Sequence, residues 1–254
     1  MTEPMKLARI PTGIEGFDEL CGGGLIKNRT YLVAGTSGAG KTIFALQYLY
    51  NGITKYGQPG ILLATEERPA TLRENALTFG WDLKRLEEEN KLAIIDASST
   101  KIGVPSLERF IDIRPFDIDQ IIDQIISIQE EVGAVRAVVD SSTSIAYNIS
   151  DAAKARVELL KLSTTLEVLE LTSLMTAEVV HGSQNRGFGM ESFITEGTLA
   201  LYNTRKRPQR DGPPGPRTRS LEIYKMRGTA HSHDLYPFEI TGKGIIVHPR
   251  EKLY

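Results

Sequence analysis

Eight residues, Gly35-Thr36-Ser37-Gly38-Ala39-Gly40-Lys41-Thr42, fit the pattern of a glycine, four residues, then Gly-Lys-Ser/Thr. Such a turn aims several backbone N–H groups at one point, and glycine permits both the sharp turn and the close approach of an anion. Residues 35–42 are therefore expected to cradle the phosphates of a nucleoside triphosphate. The Lys41 ammonium would reach the β and γ phosphates, and the Thr42 hydroxyl would ligate Mg²⁺. Glu66 and Glu67 directly follow an apolar run. Adjacent carboxylates there would position a water for attack on the γ-phosphate or take its proton. They would equally well be an acidic first turn that complements a helix dipole, and spacing alone leaves both readings open. Asp140 closes the run Val135-Arg136-Ala137-Val138-Val139 and precedes Ser141-Ser142-Thr143-Ser144. In this Walker B arrangement it would hold Mg²⁺, directly or through water, across from Thr42.

Lys225 and Arg227 bracket one residue, which puts them on the same side of a strand, a placement that suits phosphate contact. His231 and His233 are also two apart, but no further ligands stand near them in sequence, so no metal centre is expected there. The lone Trp81 and Cys21 read as packing residues.

The elements that must position these groups follow from periodicity. Thr30 to Ala34 reads as a buried strand before the glycine-rich turn, and Ile43 to Tyr50 as a helix whose N-terminus faces the anion. Gly60 to Thr65 and Lys91 to Asp96 read as further strands, with a helix opening at Pro69 and continuing from Ala70 to Phe79. Chemistry in a parallel α/β sheet collects at the carboxyl ends of its strands, where Glu66 and Asp140 fall. Ile118, Ile121, Ile122, Ile125, Ile126 and Val132 form one helical stripe for the core. In a helix over 151–169, Val157, Leu160, Leu162, Leu166 and Val168 are candidates for burial. Leu171 to Val180 is a strand that carries Glu178 near its end. Residues 98–116, rich in Ser, Pro and charge, read as a surface excursion, and residues 181–187 as a mobile polar loop. Strands over 198–202 and 219–224 flank a long turn, 204–218. It carries Arg205, Lys206, Arg207, Arg210 and Arg217 among four prolines. Its cations would touch nucleic-acid phosphates or an acidic partner, but without interleaved aromatics a solvated, flexible hairpin tip is the expectation. Residues 1–9 are expected to be loose.

The chain of 254 residues carries a formal charge of −2, with 41% hydrophobic and 24% charged residues. That composition is ordinary for a globular protein, and nothing global points to nucleic acid or anionic membrane. Cys21 is the only cysteine, so no intrachain disulfide forms and a reducing cytoplasm is expected. No signal peptide and no apolar run of membrane-spanning length is found. The single linker-like stretch comes too late to separate two domains, so residues 1–254 are read as one.

Taken in order, these segments resemble a KaiC domain, the circadian-clock branch of the RecA/RadA superfamily. The resemblance rests on Thr12-Gly13-Ile14-Glu15-Gly16-Phe17-Asp18, the 35–42 motif and Gln47-Tyr48-Leu49-Tyr50-Asn51-Gly52. Further on it rests on Glu66-Glu67 with Pro69, Phe79-Gly80-Trp81-Asp82-Leu83, Asp140-Ser141 and Lys225-Met226-Arg227-Gly228-Thr229. It implies a RecA-like P-loop NTPase fold: a mostly parallel central sheet flanked by helices, with a C-terminal β-hairpin region. It also implies ATP as the nucleotide, Mg²⁺ as its metal, and a hexameric ring with ATP between subunits. By the same resemblance Glu66 activates water, Glu67 supports it or the Mg²⁺, and Lys225 and Arg227 reach in trans to the neighbour's γ-phosphate. The chain departs from clock KaiC in having one such domain, not two in tandem, and in ending at Tyr254 without a long tail. Its stretch Ser192-Phe193-Ile194-Thr195-Glu196-Gly197-Thr198 lacks the adjacent Ser-Thr pair of the autokinase half, so autophosphorylation is not expected. Two alternatives remain: a RadA-like DNA-acting ATPase, against which the near-neutral charge speaks, and an ATP-gated scaffold that recruits a protein partner with little turnover.

Overall fold

The computed structural model describes residues 7–112, 114, 116–179, 188–205 and 216–253. The first elements are β1 (Arg9–Ile10), α1 (Phe17–Leu20) and β2 (Leu25–Ile26), the two strands pairing antiparallel. Asp18 fastens the turn between them, accepting from Thr12 N at 2.9 Å, Thr12 Oγ1 at 2.7 Å and Gly13 N at 3.0 Å. The expected looseness of residues 1–9 is corrected at its inner end. Leu7 packs on the core, the Ala8 carbonyl accepts from Lys27 N at 2.9 Å, and Arg9 Nη1 donates to Gly24 O at 2.8 Å.

Next come β3 (Thr30–Gly35), α2 (Lys41–Tyr56), β4 (Gly60–Ala64), α3 (Pro69–Leu77), α4 (Leu83–Glu88) and β5 (Leu92–Asp96). Then follow α5 (Ser98–Lys101), β6 (Phe110–Ile111), α6 (Ile118–Val132), β7 (Arg136–Asp140), α7 (Ser142–Tyr147) and α8 (Ala152–Val168). The chain closes with β8 (Thr172–Glu178), α9 (Glu191–Ile194), β9 (Gly197–Arg205), β10 (Arg217–Met226), β11 (Tyr236–Thr241) and β12 (Gly244–Val247). Helix starts carry the expected chemistry: Pro69 opens α3, and the side chains of Asp82, Asp117, Ser141 and Asp151 accept from the first turns of α4, α6, α7 and α8.

Among the described residues a ten-stranded sheet runs in the order β12-β11-β10-β9-β3-β8-β7-β4-β5-β6. From β9 to β6 every pairing is parallel, and β10, β11 and β12 add an antiparallel edge. This is the mostly parallel sheet with a C-terminal hairpin region read from the sequence. The central strands β3, β4, β5 and β7 are buried along their whole length, as strands covered on both faces must be. One apolar core lies under α2 and α4, and the other under α6 and α8.

Three expectations need adjustment. On α8 the buried face is Ala155, Leu159, Leu162, Ser163 and Leu166, whereas Val157, Leu160 and Val168 are exposed. The helix carries two apolar stripes, and packing selects the one on which the small Ala155 and Ser163 allow close approach. The 98–116 stretch is no free excursion. Asp96 accepts from Ser98 N, Ser98 Oγ, Ser99 N and Ser106 Oγ, and Ser98, Ser99, Asp112 and Phe116 are buried. In the 204–218 turn, Thr204 and Arg205 pair with Thr218 and Arg217, so the strands run further than expected. The tip, 206–215, and the 181–187 loop lie outside the described residues.

Candidate functional site

The glycine-rich turn leaves β3 at Gly35 and delivers Lys41 and Thr42 to the first turn of α2. Gly40 has φ 104°, a left-handed conformation that strains any residue with a Cβ. Gly35 faces a different constraint: a Cβ there would lie 2.5 Å from the Leu201 carbonyl of β9. The turn is thus held by tight packing of the two strands. Lys41 Nζ donates to the carbonyls of Gly35 at 3.0 Å and Thr36 at 3.1 Å. Burial pulls its pKa down, while Glu178, Asp140 and Glu66 favour its charged form.

Asp140 ends β7 directly across from this turn. Its Oδ2 accepts from Thr42 Oγ1 at 2.9 Å, and its Oδ1 accepts from Thr176 Oγ1 of β8. The carboxyl is almost fully buried, and burial pushes its pKa up against the pull of those two hydroxyls. Glu66 and Glu67 follow the end of β4. Glu66 Oε1 accepts from Ser141 Oγ at 2.6 Å, and Glu67 Oε2 accepts from Asn75 Nδ2 at 3.2 Å. Burial and the neighbouring Asp140 charge raise the Glu67 pKa. Glu66 and Glu67 precede the helix α3 and do not cap it, which favours the chemical over the dipole reading of the pair.

These groups line one cavity of about 530 Å³. Its polar lining includes Lys41, Thr42, Glu66, Glu67, Asp140 and Glu178, and its apolar lining Ile43, Leu46, Phe79, Trp81 and Ile240. Trp81, read as a packing residue, stacks on Phe79 and Tyr50 with ring centroids 4.8 and 5.8 Å apart, and it also lines this cavity. Ser37, Gly38, Gly40, Lys41 and Thr42 of the turn thus share one cavity with Glu66, Glu67 and Asp140.

Lys225 and Arg227 are not. The register pairs Gly35 with Leu201 and Leu201 with Leu221, whereas Met226 pairs with Gly197, which neighbours Tyr31 at the other end of β3. Four residues of strand, about 13 Å, separate the two rows. Lys225 Nζ donates to the carbonyls of Ser192 at 2.7 Å and Thr195 at 2.9 Å, and Arg227 pairs with Glu196 at 3.1 Å. Neither touches the cavity of its own chain.

Four participants were missed in sequence: Ser141 beneath Glu66, Thr176 on Asp140, Glu178, and Arg219 of β10, which lines the cavity. Arg219 had a signal, since it alternates with the buried Leu221 and Ile223 and so is a cation on a core-facing position. Its Nε is buried without a hydrogen-bond partner, as is Oδ1 of its strand neighbour Asn203, whose Nδ2 donates to Gly38 O at 3.3 Å. Among the described residues no group of three or more His, Cys, Asp or Glu side chains is placed to hold a metal ion. No helix among them is long and apolar enough to cross a membrane.

Comparison with known proteins agrees with this geometry. A family profile described as "ATPase: KaiC" matches residues 10–252. The circadian clock oscillator protein KaiC of Prochlorococcus marinus is 38% identical over 96% of this chain and 45% of its own length. That of Thermostichus vulcanus is 39% identical, with the same two coverages of 96% and 45%. The chain thus spans about half the length of these clock relatives. The UPF0273 protein of Methanocaldococcus jannaschii is 38% identical over 97% of this chain and 99% of its own. Among solved structures, a KaiC-like protein from Pyrococcus horikoshii superposes with a TM-score of 0.78 at 36% identity, covering 96% of this chain and all of that one. The chain belongs to the KaiC family of ATPases and has their RecA-like fold.

Proposed function

We propose that this chain, working as one domain in the cytoplasm, is a Mg²⁺-dependent ATPase whose site is completed by a second copy in a ring, hexameric as the family resemblance implies. One observation carries the reading. The strand ends of β3, β4, β7 and β8 converge on one cavity with Lys41, Thr42, Glu66, Glu67 and Asp140, while Lys225 and Arg227 stand at the opposite end of the sheet. Lys225 and Arg227, with no phosphate site beside them among the described residues, would meet this phosphate site across two subunits and not within one.

The donors at Thr42 suit a hard divalent cation. A hydroxyl and a carboxylate oxygen stand 2.9 Å apart, and the carboxylate is oriented by Thr176. Glu67 is the further oxygen ligand, directly or through water. Mg²⁺ bound there would neutralise charge on the β and γ phosphates. The backbone N–H groups of 35–42 hold the triphosphate, and Lys41 exchanges its two carbonyl partners for phosphate oxygens. The base lies toward Phe79, Trp81 and Ile240, where an apolar wall favours a stacked ring. Glu66 orients or deprotonates the attacking water, and the neighbour's Lys225 and Arg227 stabilise charge on the γ-phosphoryl group.

The test is specific ATPase rate against protein concentration, with mass by light scattering, for wild type and Arg227→Ala. The rate should rise with assembly, and the variant should assemble yet lose on the order of a thousandfold in turnover. A rate independent of concentration, or an active variant, would leave a P-loop ATPase working within one subunit.

A further inference from the structure

The catalytic-carboxylate segment is gripped at both ends by the connection that follows β5. At its start, Thr65 Oγ1 donates to Ser141 O at 2.9 Å and accepts from Ser141 N at 2.6 Å. The Thr65 carbonyl accepts from Ser144 Oγ at 3.1 Å. These bonds fix the direction in which the chain leaves β4 toward Glu66. Ser144 is buried, and its hydroxyl also accepts from Lys101 Nζ at 2.7 Å. An ammonium is a donor only, so this bond directs the single Ser144 proton to the Thr65 carbonyl. Lys101, otherwise exposed, is steadied over the Phe116 ring at 5.8 Å.

At the far end, Asn75 holds Glu67, and Arg73 on the same helix is gripped by two carboxylates at once. Its guanidinium reaches Glu87 at 2.6 and 2.7 Å and Glu108 at 2.8 and 2.6 Å. Paired forks of this kind are the geometrically demanding form of an Arg–carboxylate contact. Lys101 and Glu108 therefore lie only a few residues apart in one connection and brace opposite ends of the segment 65–73.

We propose that Lys101 is a positioning residue for Glu66, acting through Ser144 and the Thr65 carbonyl, with Glu108 bracing the other end of the segment through Arg73. The inference rests on the assignment of Glu66 as the water-orienting carboxylate. Lys101 itself lines no part of the nucleotide cavity, so its removal should alter turnover and not nucleotide binding. A catalytic group displaced by a fraction of an ångström costs on the order of tenfold to a hundredfold in rate.

The experiment is a kinetic cycle on the full chain with MgATP, using Glu66→Gln, Lys101→Met, Lys101→Arg and the double variant Glu66→Gln/Lys101→Met. Lys101→Met should lower kcat about tenfold with KM for ATP and ring mass unchanged, and Lys101→Arg should recover most of the loss. In the Glu66→Gln background, Lys101→Met should remove nothing further, because the group it positions is already gone. Wild-type kcat in Lys101→Met, beside an inactive Glu66→Gln, would overturn the inference. So would an equal loss from Lys101→Met in both backgrounds, or a loss that appears in KM. Full turnover by Glu66→Gln would instead overturn the catalytic assignment of Glu66.

Discussion

Asp140 shows how a single residue of this site trades stability for chemistry. Its carboxyl is nearly fully buried, and burial raises its pKa despite the hydroxyls of Thr176 and Thr42. A carboxyl whose folded pKa lies above its unfolded value contributes stability below the unfolded pKa, and that contribution is lost as pH rises through the folded one. An ionised Asp140 is therefore a cost to the nucleotide-free fold. Asp140→Asn should stabilise the protein at pH 7 without Mg²⁺ or nucleotide, by about 1 kcal/mol, and so raise the thermal midpoint, while Mg²⁺-dependent turnover disappears. A lowered midpoint by calorimetry would contradict this. In the sequence Lys41 and Thr42 stood out by motif and Asp140 by its strand end, whereas spacing left the role of Glu66 and Glu67 open. Ser141 beneath Glu66, Thr176 on Asp140, and Arg219 were illegible as partners, because strands distant in sequence bring them there.

At the scale of elements, much of the family resemblance is scaffolding. In α2, Gln47 pairs with both backbone groups of Ile245, donating to O at 3.1 Å and accepting from N at 2.7 Å. Tyr48 donates to Thr172 O at 2.8 Å, and Asn51 to Gly13 O at 2.9 Å. Gly52 leaves room for Arg136, a fully buried cation at the start of β7. That guanidinium donates to Tyr48 O at 2.9 Å, Pro11 O at 2.6 Å and Gln58 Oε1 at 2.9 and 2.6 Å, and it stacks over the Tyr48 ring at 4.4 Å. It ties the N-terminal turn, α2 and β7 into one unit. Arg136→Met would leave those buried acceptors unpaired, a loss of about 3 kcal/mol by denaturant unfolding. Gly52→Ala would set a Cβ 2.3 Å from Arg136 Nε and should destabilise as well. The two should combine to less than their sum, since removing the guanidinium removes the clash; simple additivity would contradict the packing account. The central strands and the longer helices were legible from apolar runs and Pro69, whereas short elements such as α4 and the edge strands β11 and β12 were not. The face of α8 was not, because two apolar stripes compete and only the neighbouring sheet decides between them.

At the scale of the whole molecule, the proposal of a second copy rests on the separation of the cavity from Lys225 and Arg227. Sequence placed both cations on one side of a strand, whereas Arg227 falls in the turn just after β10, and it could not tell which end of the sheet they occupy. That follows from the antiparallel register of β10 on β9. In the proposed ring the neighbour would supply Lys225 and Arg227, and turnover would depend on assembly. The most direct test mixes two inactive variants, Glu66→Gln and Arg227→Ala, under conditions that allow subunits to exchange. A shared interface predicts recovery to about a quarter of wild-type turnover, because random mixing sets an intact Glu66 beside a neighbour's intact Arg227 at about one interface in four. Turnover of the mixture no greater than that of the two variants measured separately, with mixed rings present, would contradict a site completed in trans.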